Sequence, residues 1–270
     1  MTEHELIRFS DEIRTEIADD HTRIVLDIVE SNLEHWYGLY DRAARDELSA
    51  GTALAQGGGR NSVVVVLHNA TLIGARIIGL TETLIELVNS QSVYAAAPVC
   101  RALWEQCCVP CYMAEEIGPR LRKHRANDVV RLLMRVGLGT NIDAGYGHIR
   151  PIKVKSLNAA TQRWVTRHLA VDGQPEEEIQ ISRQGYGPLS DLTHPNWRAL
   201  NPNPRQPGEP HVLRPTLDLE ILSAIVGPCG VMLPASRMAL SEVVLIAFDH
   251  AFEYSGEPVW HDGDLFPTED

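Results

Sequence analysis

Val63-Val64-Val65-Val66-Leu67-His68-Asn69-Ala70-Thr71-Leu72-Ile73-Gly74-Ala75-Arg76-Ile77-Ile78-Gly79-Leu80 is the most apolar run of the chain, and its reading decides the fold. The opening Val63–Val66 is β-branched and would by itself suit a strand. Beyond it, Leu72, Ile73, Ile77, Leu80, Leu84 and Leu87 recur at helical spacing. The pattern runs to about Asn89, far past strand length, and Asn61 or Ser62 can cap its start. A helix apolar on most sides belongs at the centre of a bundle. A bilayer span needs ~20 predominantly apolar residues. Here His68, Asn69 and Arg76 interrupt the run, so a protein core is expected and no membrane. Gly74 and Gly79 would let another helix approach closely.

Outward from this run the same periodicity repeats. Leu6, Phe9, Ile13 and Ile17 predict a helix over 2–18, and Ile24 to Tyr40 a long amphipathic one over 21–48. Residues 51–61, with Gly57-Gly58-Gly59, are expected to form a loop. Helices are predicted over 92–117, disturbed at Pro98 and Pro110, and over 119–136, opened by Pro119. Another is predicted over 156–171. Residues 201–215 carry five Pro and cannot be a helix or a central strand. Two last helices follow, over 216–226 and 234–254, separated by Gly227-Pro228-Cys229-Gly230. The fold class is therefore all-α, a multi-helix bundle with a Pro-rich loop before the last helices. We expect one domain over 1–255 and a loose acidic tail over 256–270.

With 44% hydrophobic and 22% charged residues, the 270-residue chain can bury a proper core. Its net charge of -12 does not favour nucleic acid as a partner. Lys occurs only at Lys123, Lys153 and Lys155; the remaining positive charge is Arg. The first residues, Met1 to Glu5, are acidic and polar, so no secretory signal is expected. Five Cys, four of them crowded between Cys100 and Cys111, do not form a secreted disulfide framework. A reducing cytoplasm follows.

Most signatures of chemistry fail on context. Cys108-Val109-Pro110-Cys111 lies in a helical stretch, with no second Cys pair to complete a zinc site. Cys107, Cys108 and Cys111 are expected to be buried thiols. Gly57-Gly58-Gly59 lacks the Lys-Ser/Thr end of a phosphate loop. No Gly-x-Ser-x-Gly and no His-Glu-x-x-His occurs, so no cofactor and no metal is expected. Arg14–His21, Arg163–His168 and Arg205–His211 have the Arg-to-His spacing of HEPN-type ribonucleases, about as often as chance provides.

One polar locus stands out. Arg101 and Glu105 are four apart and share a helix face. Some eighty residues later comes Tyr186-Gly187-Pro188-Leu189-Ser190-Asp191-Leu192-Thr193-His194-Pro195-Asn196-Trp197. Pro188 suits a first helical position and Pro195 ends the helix at His194. Ser190, Asp191 and His194 can then lie on one side. A charged pair on an apolar helix needs hydrogen-bond partners, and this turn is the richest supply. The two segments are therefore expected to pack together. Arg101, Glu105 and His194 are the candidate catalytic groups; Tyr186, Ser190, Asp191 and Asn196 are candidate binding groups.

The pairing of Arg-x-x-x-Glu with Tyr-x-x-Leu-Ser-x-x-x-His resembles an uncharacterised family of bacterial helical proteins, likened at a distance to HEPN-type bundles. The resemblance spans residues 93–197. It implies an all-helical protein acting in a bacterial stress or defence system; the acidic composition favours action through binding, with a protein partner or a second copy of itself. A metal-independent HEPN-like ribonuclease is the alternative it implies. His194 lacks the Arg four to six residues before it that such enzymes carry. A small-molecule pocket in the bundle core is the other alternative.

Overall fold

The computed structural model describes residues 6–57, 60–137, 151–169, 185–193, 219–250 and 253–254. Ser10 starts the first helix, α1 (Asp11–Glu16), its Oγ accepting the Ile13 N–H at 3.3 Å. The expected helix over 2–18 is thus shorter among the described residues. The Phe9 N–H leaves the helical pattern and donates to Glu30 at 2.7 Å. Asp19 caps α2 (Asp20–Gly57), accepting from the N–H groups of His21 and Thr22 and from the Thr22 hydroxyl. The helix continues through 51–57, where a loop was expected.

The apolar run forms α3 (Ser62–Asn89), a helix throughout. Tyr40 of α2 lies 3.6 Å from where a Cβ on Gly74 would sit. Gly74 thus meets α2 closely; Gly79 has nothing within 4 Å and serves no such approach. α4 (Val93–Tyr112) follows, widening into a π-helical turn over Met113–Ile117. Pro119 explains the widening: it lacks an N–H, and its ring would crowd the carbonyl four residues back. The helix expected over 119–136 is two pieces, α5 (Gly118–Arg122) and α6 (Ala126–Gly137). His124, at φ 52°, turns the chain between them through the left-handed region.

α7 (Val154–Leu169) and the short α8 (Gly187–Thr193) lie against α4. The last element is one helix, α9 (Leu219–Asp249), not two. It passes straight through Gly227-Pro228-Cys229-Gly230 because tertiary contacts hold that stretch. A Cβ on Gly230 would come within 3.3 Å of Val25, and Cys229 Sγ lies 3.3 Å from Cys100 Sγ. A two-residue antiparallel ladder pairs Arg60 with Tyr254 and Asn61 with Glu253.

The result is an all-α bundle in which α4 touches α3, α7, α8 and α9. Trp36, Leu84, Leu103 and Leu233 are fully buried at its centre. By length and composition α3 and α9 could each cross a bilayer, but half of each apolar window is buried within the bundle. The Pro-rich segment over 201–215 and the tail over 256–270 lie outside the described residues.

Candidate functional site

One face of α4 builds the site. Arg101, Trp104, Glu105 and Cys108 follow at spacings of three and four, so they share a stripe. Arg101 Nη2 donates to the Tyr186 hydroxyl at 2.8 Å, and that hydroxyl donates to Glu105 Oε1 at 3.0 Å. Arg101 Nε lies 3.3 Å from the same carboxylate oxygen. Arg101 Nη1 donates to Thr193 Oγ1 at 3.0 Å, and the Thr193 hydroxyl donates to the Ser190 carbonyl at 3.0 Å. Every donor here has an acceptor, which is what a half-buried charged pair requires. The guanidinium also lies 5.2 Å from the Tyr186 ring centroid.

The lower part of the stripe holds α7. Trp104 Nε1 donates to Asn158 Oδ1 at 3.1 Å, and Cys108 Sγ lies 3.4 Å from the same oxygen. Gly185, at the start of the turn into α8, is buried flat against the Trp104 ring. Tyr186 and Asn158 are thereby fixed on two sides of a groove of about 510 Å³. Val154, Lys155, Ala159 and Gln162 complete its lining.

The packing of the Arg101–Glu105 helix against the 186–193 segment is as expected from the sequence. The detail differs. Ser190 is half-buried and Asp191 exposed, while the groups that reach Arg101 are Tyr186 and Thr193. Tyr186, Leu189 and Thr193 lie on the face turned to α4, a spacing of three and four that could have named Thr193. Asn158 carried no sequence signal, because only the fold brings α7 to Trp104. His194 and Asn196 lie outside the described residues.

Burial pushes the Tyr186 hydroxyl above its ordinary range, with the bond to Glu105 adding to the shift and Arg101 opposing it. Tyr186 is thus a neutral hydrogen-bonding group near pH 7. Cys100, Cys107, Cys108, Cys111 and Cys229 are all buried free thiols. Burial holds Cys108 up at about 12, against a weaker pull from Thr161. Thiols so protonated are poor nucleophiles. Among the described residues no group of three or more His, Cys, Asp or Glu is placed to hold a metal.

Of the arginines with the ribonuclease spacing, Arg14 pairs with Asp27 and Glu30, Arg163 is engaged as well, and Arg205 lies outside the described residues. Arg163 lies 3.4 Å from Glu115 and 3.1 Å from Glu116. Arg167 lies 2.9 Å from Glu115, whose side chain is only 6% exposed. His168 stacks on Trp164 at 4.4 Å between centroids, and Trp164 Nε1 donates to Glu242 at 2.9 Å. The arginines of α5 are paired as well, Arg120 with Glu116 and Arg122 with Glu242.

If the lock on α4 acts as a unit, Arg101→Met and Tyr186→Phe will not be additive. A double-mutant cycle read by urea denaturation should return a coupling of about 1 kcal/mol. Additivity within error would mean that the two side chains merely lie side by side.

Comparison of the chain with protein-family models, with curated proteins and with solved structures finds no match in any of the three.

Proposed function

We propose that the protein works by binding, with the groove between α7 and Tyr186 as its site. The observation that carries this is the single α4 stripe that immobilises both walls. Arg101 and Glu105 hold Tyr186, and Trp104 holds Asn158. Pre-ordered walls reduce the entropy lost when a ligand arrives. The volume of about 510 Å³ lies within the range of small-molecule sites. The groove sits at the edge of the bundle, which supports a small ligand more than the core pocket anticipated from the sequence. The protein acts in the cytoplasm, where five free thiols stay reduced. The family resemblance adds a place in bacterial stress or defence. Ribonuclease activity finds less support, since Arg101 and Arg163 already face carboxylates and the chain carries -12 overall.

The test is a fragment screen by heteronuclear NMR on wild type and on Ala159→Trp. Ala159 is exposed and lines the groove without touching the lock, so a bulky replacement fills the site and leaves the fold alone. Hits should shift the resonances of Lys155, Asn158 and Tyr186 and lose binding in the variant. Hits indifferent to Ala159→Trp would place the site elsewhere.

A further inference from the structure

We infer that the groove takes a small organic carboxylate with a flat apolar body; this rests on the binding reading above and specifies its ligand. Three features of the lining support it.

The first is charge. Among the described residues that line the groove, Lys155 is the one of a charged type, and none is acidic. Lys155 is exposed and, among the described residues, takes part in no ion pair, in a chain of net charge -12. Its ammonium is open to an anionic group that enters the groove.

The second is the direction of the Asn158 amide. Indole N–H can only donate, so the atom facing Trp104 must be the amide oxygen. That oxygen also receives the Cys108 thiol, and both donors come from α4. The NH₂ end is therefore the part of the amide left for the groove that Asn158 lines. Lys155 and Asn158 are three apart on α7 and share one side of the helix, both lining the groove. Two donors at that spacing match the two oxygens of one carboxylate. A phosphate ester asks for more: it carries greater charge and more acceptors, and the overall negative field would repel a dianion about twice as strongly as a monoanion.

The third is the platform. The Tyr186 ring cannot rotate away, because its hydroxyl is bound to both Arg101 and Glu105. With Val154 and Ala159 it gives the groove an apolar surface on which a planar body can stack.

The experiment compares 2-naphthoate with 2-naphthamide by isothermal titration calorimetry at neutral pH, using wild type, Lys155→Met and Ala159→Trp. These probes have the same flat body and differ in the charged group. Wild type should prefer the carboxylate by about tenfold, one charge-assisted contact in a partly wet site. Lys155→Met should reduce the carboxylate to the affinity of the amide, and Ala159→Trp should abolish both. Equal binding of the two probes, lost in Ala159→Trp, would overturn the anion preference and leave the groove standing. A carboxylate preference that survives Lys155→Met would overturn the assignment to this cation. If neither probe binds at millimolar concentration, the ligand class is wrong whatever the fragment screen returns. Probe binding that survives Ala159→Trp would sink both the ligand class and the groove.

Discussion

Raising the pH above the range of an ordinary thiol, roughly 8.5, should progressively destabilise this protein. Cys107, Cys108, Cys111 and Cys229 all hold their protons more tightly in the fold, mainly through burial for the first three and through the Cys100 contact plus burial for Cys229. Over the window between the unfolded and folded pKa the native state binds more protons, so stability falls as pH rises. Below the unfolded pKa the contribution is fully present; it is lost progressively toward the folded value. For Cys108 the window runs from 9.0 to about 12. Its traverse costs on the order of 4 kcal/mol, a large part of the ~5–15 kcal/mol that keeps a domain folded. The other three thiols act in the same direction. Urea denaturation followed by circular dichroism at increasing pH should show the loss, and Cys108→Ala should flatten the slope even though the cavity lowers the starting stability. Stability that stays level from pH ~8 to ~11 would contradict the burial of these thiols.

Gly185→Ala should dismantle the groove wall. A Cβ at this position would overlap the Trp104 ring, with even Cε3 only 3.1 Å away. Trp104 is 3% exposed and tied to Asn158, so it cannot step aside without surrendering that bond. Either the ring moves and frees Asn158, or the turn lifts and takes Tyr186 from Arg101. Overpacking of this kind costs ~1–3 kcal/mol. The Trp104 indole N–H resonance should shift and the unfolding midpoint should fall. An unchanged resonance together with an unchanged midpoint would show that the turn does not rest on Trp104. Val25→Ala tells the two close glycine contacts apart, because it loosens Gly230 on α9 and leaves the groove untouched.

Much of the bundle was legible because burial leaves a period. Of the residues read as periodic on α3, Ile73, Ile77 and Leu84 form a face turned inward and are buried, while Leu72 is 51% exposed. The need of Arg101 and Glu105 for partners was equally readable, since an unpaired charge on an apolar helix is costly. Breakers misled wherever tertiary contacts could override them. Gly227-Pro228 reads as a helix end by local propensity, yet α9 continues there against Val25 and Cys100. Lost hydrogen bonds and glycine entropy cost a few kcal/mol, which burial of the flanking Ile225, Val226 and Met232 offsets. In the other direction, the uniform periodicity over 119–136 hid the turn at His124.

By itself, then, the sequence determined a helical chain, its central apolar helix, its buried thiols and the two segments that had to find each other. Helical periods and unpaired charges are local properties, written in the order of the residues. Only the tertiary structure decided that Thr193 rather than Ser190 meets Arg101, that Asn158 hangs from Trp104, and that a groove opens between them. Those contacts join residues 54 and 92 positions apart. Their geometry depends on how three helices cross, which no spacing within one segment encodes.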